Sequence, residues 1–336
     1  MGLVEWTVDE VTEACLEALA TGCIEGVPLE ANPEDLASRL GYPDRGVPGA
    51  EMSDPYGRAF EQRYFASGLT MTRDWGLVTA FYDRDQLYAP WLCNGITIRA
   101  YLLDEPPEWS SIAAELLQHG YESVLMPNGV PGRLNEYTVA ASAVSAKVAT
   151  DKDRGTLPGK LNDVTIDRIA MPTPGKHEWG PLRNEMRALG TAGTSAWADW
   201  LAQRPRMADD YAAVFTALSV LISDQPARAD EWTALRLWFL DRARQANVFR
   251  PEEWTYHWAR YGSAPPIEVS RACLAALPMT LDEARSMPES WRDISPNDAR
   301  RARMSRALLR LAADAAPDAD ATIEKQHWRH EPRWLF

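Results

Sequence analysis

Apolar residues recur along this chain at two intervals, and the interval changes once. Near the start, Val8, Val11, Cys15 and Leu19 keep helical spacing behind Thr7-Val-Asp-Glu10, the pattern of a capping box. A helix is predicted over about residues 8–20, with its carboxylates on the wet face. Asn32-Pro33-Glu34-Asp35 repeats the start signal with proline at the first helical position. There Leu36 and Leu40 face inward and Gly41 is the stop. A turn-rich stretch is expected from Tyr42 to about Gly57.

Period-two runs come next. Leu77–Tyr82 alternates around β-prone residues, and Trp91–Leu102 is a longer run of the same kind. Asp83–Pro90 between them is expected to form a hairpin loop, and Asn94-Gly95 marks a bulge or a short interruption. Pro106-Pro107 opens a helix over about 108–118, ended by Gly120. Leu134–Thr138 and Val139–Thr150 read as extended, with a turn at Asp153-Arg-Gly155 and a strand near Val164–Ile169.

After Pro172-Thr-Pro-Gly175 the helical period takes over. Tyr211, Val214, Phe215, Leu218, Leu221 and Ile222 form one stripe, and Trp232, Leu235, Trp238, Phe239 and Arg242 the next. Ser295-Pro-Asn-Asp298 starts a last helix that turns Met304, Leu308 and Leu311 inward. Ten of the 14 tryptophans lie in this part, as expected of a helical domain with aromatic core plugs. The fold class is therefore α+β, an antiparallel sheet with helices followed by an all-helical part. The expected domains are residues 1–171 and 176–336. The ending Trp334-Leu-Phe336 is expected to dock rather than fray.

Charge sharpens this division. The 336 residues carry a net −13, and residues 1–150 alone hold 22 acids against 9 bases. Residues 151–336 are balanced, and residues 1–38 contain nine acids and no Lys or Arg. Such a balance argues against a general nucleic-acid binder, which needs a basic face. No apolar run is long enough to span a bilayer, and the acidic start does not read as a signal peptide, so a cytoplasmic protein is expected. Thirty arginines against five lysines, with abundant alanine, suggest a high-GC, actinobacterial source.

Candidate chemistry is thin. No nucleophile elbow, phosphate-cradling loop or dinucleotide fingerprint is present. Cys15, Cys23, Cys93 and Cys273 are too scattered for a disulfide framework, and no zinc spacing appears. His119 sits at a predicted helix end, and His257 in a helical aromatic strip reads as a satisfied core histidine. His327 and His330 share a helix face but lack a third ligand. No cofactor or metal is expected. His177-Glu178 is the one pair that reads as a base with an orienting carboxylate, so a hydrolase-like enzyme remains an alternative. A regulatory scaffold whose helical half binds a peptide is another.

Leu40-Gly-Tyr-Pro-Asp44, Arg73-Asp-Trp-Gly-Leu-Val-Thr-Ala-Phe-Tyr82 and Cys93-Asn-Gly-Ile-Thr-Ile-Arg99 together resemble the immunity proteins of actinobacterial polymorphic-toxin systems. The likeness covers about residues 30–105; such proteins are often shorter than this chain. It implies a non-catalytic inhibitor that binds a cognate toxin. The acidic half then predicts docking on a basic toxin surface, with Glu10, Glu13 and Glu17 on one face of the first helix. Glu34, Asp35, Asp83 and Asp85 are the further expected contacts.

Overall fold

The computed structural model describes residues 6–24, 26–28, 33–40, 52–53, 59–60, 69–75, 77–84, 92–126, 134–151, 157–167, 179–204 and 207–315. Helix α1 (Val8–Thr21) is followed by the short pair β1 (Cys23–Ile24) and β2 (Val27–Pro28), then α2 (Pro33–Leu40). A second short pair, β3 (Met52–Ser53) and β4 (Ala59–Phe60), precedes β5 (Leu69–Trp75), β6 (Val78–Arg84) and β7 (Leu92–Ile98). Helix α3 (Trp109–Gln118) leads into β8 (Ser123–Met126), β9 (Leu134–Val139), β10 (Ser145–Ala149) and β11 (Leu161–Asp167). Only helices follow among the described residues. They are α4 (Trp179–Leu189), α5 (Gly193–Ala202), α6 (Ala208–Asp224), α7 (Ala229–Ala246), α8 (Pro251–Tyr261), α9 (Pro266–Ala275), α10 (Leu281–Arg285) and α11 (Pro296–Ala315).

Seven strands form one antiparallel sheet in the order β5-β6-β7-β11-β10-β9-β8. Strand alternation sorts its two faces. Val78, Ala80, Ile96, Ile98, Ala146, Val148, Val164 and Ile166 lie on the buried face. On the other, Thr79, Thr97, Thr165, Ser145 and Thr138 stand in one register row across five strands. The Asn94 bulge is present: Phe81 pairs with Gly95 and Tyr82 with Cys93, leaving Asn94 between them. Strands β5 and β8, at the two edges, were not among the expected elements. The loop 85–90 and the turn 153–155 lie outside the described residues.

Helices α1 and α3 cover the buried face, with Val11, Cys15, Leu19, Ile112 and Leu116 in the same core. The predicted capping box is formed: the Glu10 amide donates to Thr7 Oγ1 at 3.2 Å, and Glu10 Oε2 accepts from the Thr7 amide at 2.8 Å. A wet face, however, does not persist along α1. From Ala14 to Thr21 every residue is buried, because the sheet covers one side and the chain near Trp291 and α11 covers the other. Its C-terminal carbonyls are met in turn. Gly22, at φ 76°, donates to Ala18, Ser142 Oγ to Leu19, and Arg306 Nη2 to Thr21 at 3.1 Å.

The helical half forms a second core from Leu182, Met186, Trp197, Tyr211, Phe215, Trp232 and Phe239. Trp232 and Trp197 are buried plugs, whereas Trp200, Trp238, Trp254 and Trp258 are only partly covered. The change from strand to helix falls where expected, between Asp167 and Trp179, and the Pro172–Gly175 linker itself lies outside the described residues. The cores do not divide there. Trp291, Ile294 and Ala299 belong to the sheet core, while Met304, Leu308 and Ala312 of α11 pack with Tyr256, Val269 and Cys273. Tyr121 Oη donates to the Ile294 carbonyl at 2.8 Å, and His119 Nδ1 lies 3.0 Å from the Arg292 carbonyl.

His257 is in the core but is not satisfied. It is buried against Phe249, Phe215, Tyr256 and Tyr261, with ring centroids 4.5–6.0 Å away, and neither ring nitrogen has a partner among the described residues. Burial pushes its pKa down to about 3, and the Arg260 charge adds to this.

Two predictions follow from the packing. A protease site placed within 172–175 and cleaved should leave the fragments co-eluting in gel filtration, separating only in denaturant, since residues 291–306 stay seated on α1. Separation under native conditions would contradict the shared core. The second concerns His257, which binds no proton in the fold above about pH 3 but binds one when unfolded below about 6.5. Stability should therefore be full above pH 6.5 and fall as the pH drops towards 3, by up to about 1.4 kcal/mol per pH unit. Urea denaturation of His257→Phe should show a flatter profile in that window than the unmodified chain.

Candidate partner-binding surface

Helix α1 places its three candidate carboxylates within one arc, as the i, i+3, i+7 spacing requires, but each is engaged by the protein itself. Glu10 closes the capping box, and its hydrogen bonds from the Thr7 amide and hydroxyl hold its pKa below the usual carboxylate value. Glu13 receives a two-pronged contact from Arg292, Nη1 to Oε1 and Nη2 to Oε2, both at 2.7 Å. The Trp291 indole donates to the same carboxylate at 2.8 Å. Arg292 and then Trp291 draw its pKa down against burial. Arg292 also reaches Glu115 Oε1 of α3 at 2.6 Å, so one guanidinium joins α1, α3 and the chain before α11. Glu17 is 8% exposed and accepts from the Gly26 amide at 2.7 Å. Of the three expected contacts, Glu10 and Glu13 are exposed but bonded within the protein, and Glu17 is buried.

The other expected contacts are placed less fully. Glu34 and Asp35 lie in the first turn of α2, and Asp83 in β6 pairs with Thr70 and Leu92. Their side chains, and all of Asp85, lie outside the described residues, as do His177, Glu178, His327, His330 and the C-terminal aromatic segment. Among the described residues no group of three His, Cys, Asp or Glu side chains is placed to hold a metal ion. Cys15, Cys23 and Cys273 are buried thiols, and burial pushes Cys273 up to about 12.

A different acidic surface is built at the end of the sheet where β7 leaves and β11 enters. After Ile98 the chain makes a 3-10 turn, Ala100–Leu102, closed by the Leu102 and Leu103 amides on the Arg99 and Ala100 carbonyls. Ala100 is wholly buried, which turns Tyr101 and Leu102 outward, 42% and 50% exposed. The returning chain is pinned beside it. Leu161 donates to the Pro107 carbonyl at 2.8 Å, Trp109 to Gly159 at 3.0 Å, and Lys160 Nζ lies 2.9 Å from Glu108 Oε1. Leu157, 70% exposed, lies in the turn before β11, where its carbonyl accepts from the Lys160 amide. Asp104 and Glu105 are exposed beside the turn.

The result is a set of outward apolar side chains on a hydrogen-bonded backbone, flanked by carboxylates. Exposed apolar groups gathered at one place and rimmed by charge mark interaction surfaces. The sequence carried a signal for it, since Tyr101-Leu-Leu-Asp-Glu105 sets bulky apolar residues directly before two acids and two prolines. Reading that run as the tail of a strand hid it, because in a strand alternate residues would have faced inward.

Replacing Glu17 by Leu should lower stability by about 1–3 kcal/mol, because the Gly26 amide loses its acceptor. The half-exposed Glu13, changed to Gln, should cost about 1 kcal/mol or less. Urea midpoints would check both; no change for Glu17→Leu would mean that the carboxylate is not an internal anchor. Among the described residues no helix is long and apolar enough to cross a membrane. Comparison of the chain with protein-family models, with curated proteins and with solved structures finds no match, which leaves surface chemistry as the guide to function.

Proposed function

We propose that the protein is an immunity-type binder that neutralises a cognate protein toxin by docking the acidic end of its sheet on a basic toxin surface. The observation that carries this reading is the exposed pair Tyr101 and Leu102, followed closely by the exposed acids Asp104 and Glu105, within the residues 1–150 that hold the whole charge excess. Toxins that act on nucleic acids or nucleotides need cationic clefts, and carboxylates can stand there in place of phosphates. Charge complementarity raises the association rate and restricts partners, while buried apolar side chains hold the complex. The hydrogen-bonded backbone beneath Tyr101 reduces the ordering cost of binding. No bond is made or broken in this reading, and no cofactor enters it.

The test is co-expression with the product of the adjacent gene, followed by pull-down and kinetics. Tyr101→Ala with Leu102→Ala should weaken binding at least about tenfold, mainly through faster dissociation. Asp104→Asn with Glu105→Gln should slow association several-fold at low salt and leave dissociation nearly unchanged. A neighbour that is neither toxic nor bound, or binding indifferent to both double changes and to salt, would overturn the proposal.

A further inference from the structure

The helical half holds an open hollow of about 460 Å³ between α5, α6 and α7, away from the sheet end just described. Its floor is Leu201 and Tyr211, both buried in the helical core, and its apolar sides are Ala198 and the half-buried ring of Trp238. A narrower cleft running past Trp200 and Phe239 shares the same Leu201 and Tyr211. This volume falls in the range of sites that enclose small organic molecules.

Arg242 is the charged side chain among the described residues that line the hollow. Arg242 lies with its guanidinium carbon 5.3 Å from the Trp238 ring centroid, and its Nη1 donates to Gln245 Oε1 at 2.7 Å. Among the described residues no carboxylate pairs with it, whereas Arg204 and Arg228 are neutralised by Glu185 and Glu231. Asp241 is near but is held by Gln245 Nε2 at 2.7 Å. Thr194, in the first turn of α5, also lines the hollow. That helix has no side-chain cap and no acid in its first turn, so its N-terminal amides add positive potential on the same side. No carboxylate lines the hollow, in a chain with thirteen excess negative charges.

We propose that this hollow binds a small aromatic carboxylate. The acid group takes the Arg242 guanidinium in place of the neutral Gln245 oxygen, with the Thr194 hydroxyl as a second donor. The ring lies against Trp238 over Leu201 and Ala198. A charged acceptor on Arg242 is stronger than the amide that it displaces, and an aromatic face beside a guanidinium suits a flat ring. The proposal is independent of the sheet-end surface, so either can fail alone.

The probe pair is 3-phenylpropionate and its neutral analogue 3-phenylpropan-1-ol, titrated into the full chain by calorimetry and followed at the tryptophan indole NH signals by NMR. The acid should bind in the millimolar range or tighter, and the alcohol at least about tenfold more weakly. Arg242→Gln, a change at an exposed position, should reduce the acid to the level of the alcohol. Ala198→Trp, also exposed, should fill the hollow and abolish both while leaving the far-UV circular dichroism unchanged. Equal binding of acid and alcohol, indifference to either substitution, or no binding at about 20 mM would overturn the assignment.

Discussion

One helix has to satisfy three groups of neighbours at once, and the rest of the structure is arranged around that constraint. Helix α11 places Met304, Leu308 and Ala312 against α8 and α9, Ala302 and Leu309 against Met279 and Ala284, and Ala299 in the sheet core. Its charged residues are used as sparingly. Arg300 reaches Glu253 of α8 at 3.2 Å, Arg301 reaches Glu283 of α10 at 2.6 Å, and Arg306 reaches the end of α1. Each guanidinium thus fixes the direction of a different apolar contact. Packing sets the strength and these contacts set the register, since an arginine stem covers apolar surface while its head keeps a polar partner.

The acidic excess reads differently once those contacts are known. Glu13 and Glu115 from the acidic part of the chain both pair with Arg292 from the neutral part. Part of what looks like a surface field is therefore internal adhesive. At the sheet end, Asp104 and Glu105 are exposed, and Glu108 has Lys160 beside it. Counting charges by segment gives the sign of a surface and not its location.

Legibility followed distance along the chain. The Thr7–Glu10 box, proline at the first position of α11 and the Asn94 bulge each depend on residues within a few positions, and local pattern located them. The two edge strands escaped because β8 has four residues and β5 mixes Arg73 and Asp74 into its alternation. The larger misreading was α1. Periodicity reports that one stripe is apolar, but the Trp291–Glu13 bond spans 278 positions and leaves no periodic trace. His257 shows the same limit: its aromatic neighbours imply burial, and nothing local tells that both nitrogens lack partners among the described residues.

The seat of Trp291 and Arg306 on α1 also sets an order of events during synthesis. Residues 8–24 leave the ribosome before the seven-stranded sheet, with Cys15, Leu16, Leu19 and Ile24 destined for full burial. Their sheet partners through Ile166 follow, yet the side of α1 that meets Trp291 stays uncovered until some 125 further residues have emerged. For that interval the nascent chain carries an almost complete sheet with an open apolar seam. Long-range closure of this kind is slow and leaves sticky surface exposed. Arg292 and the arginines of α11 arrive after the sheet strands, and their contacts with α1 close that seam.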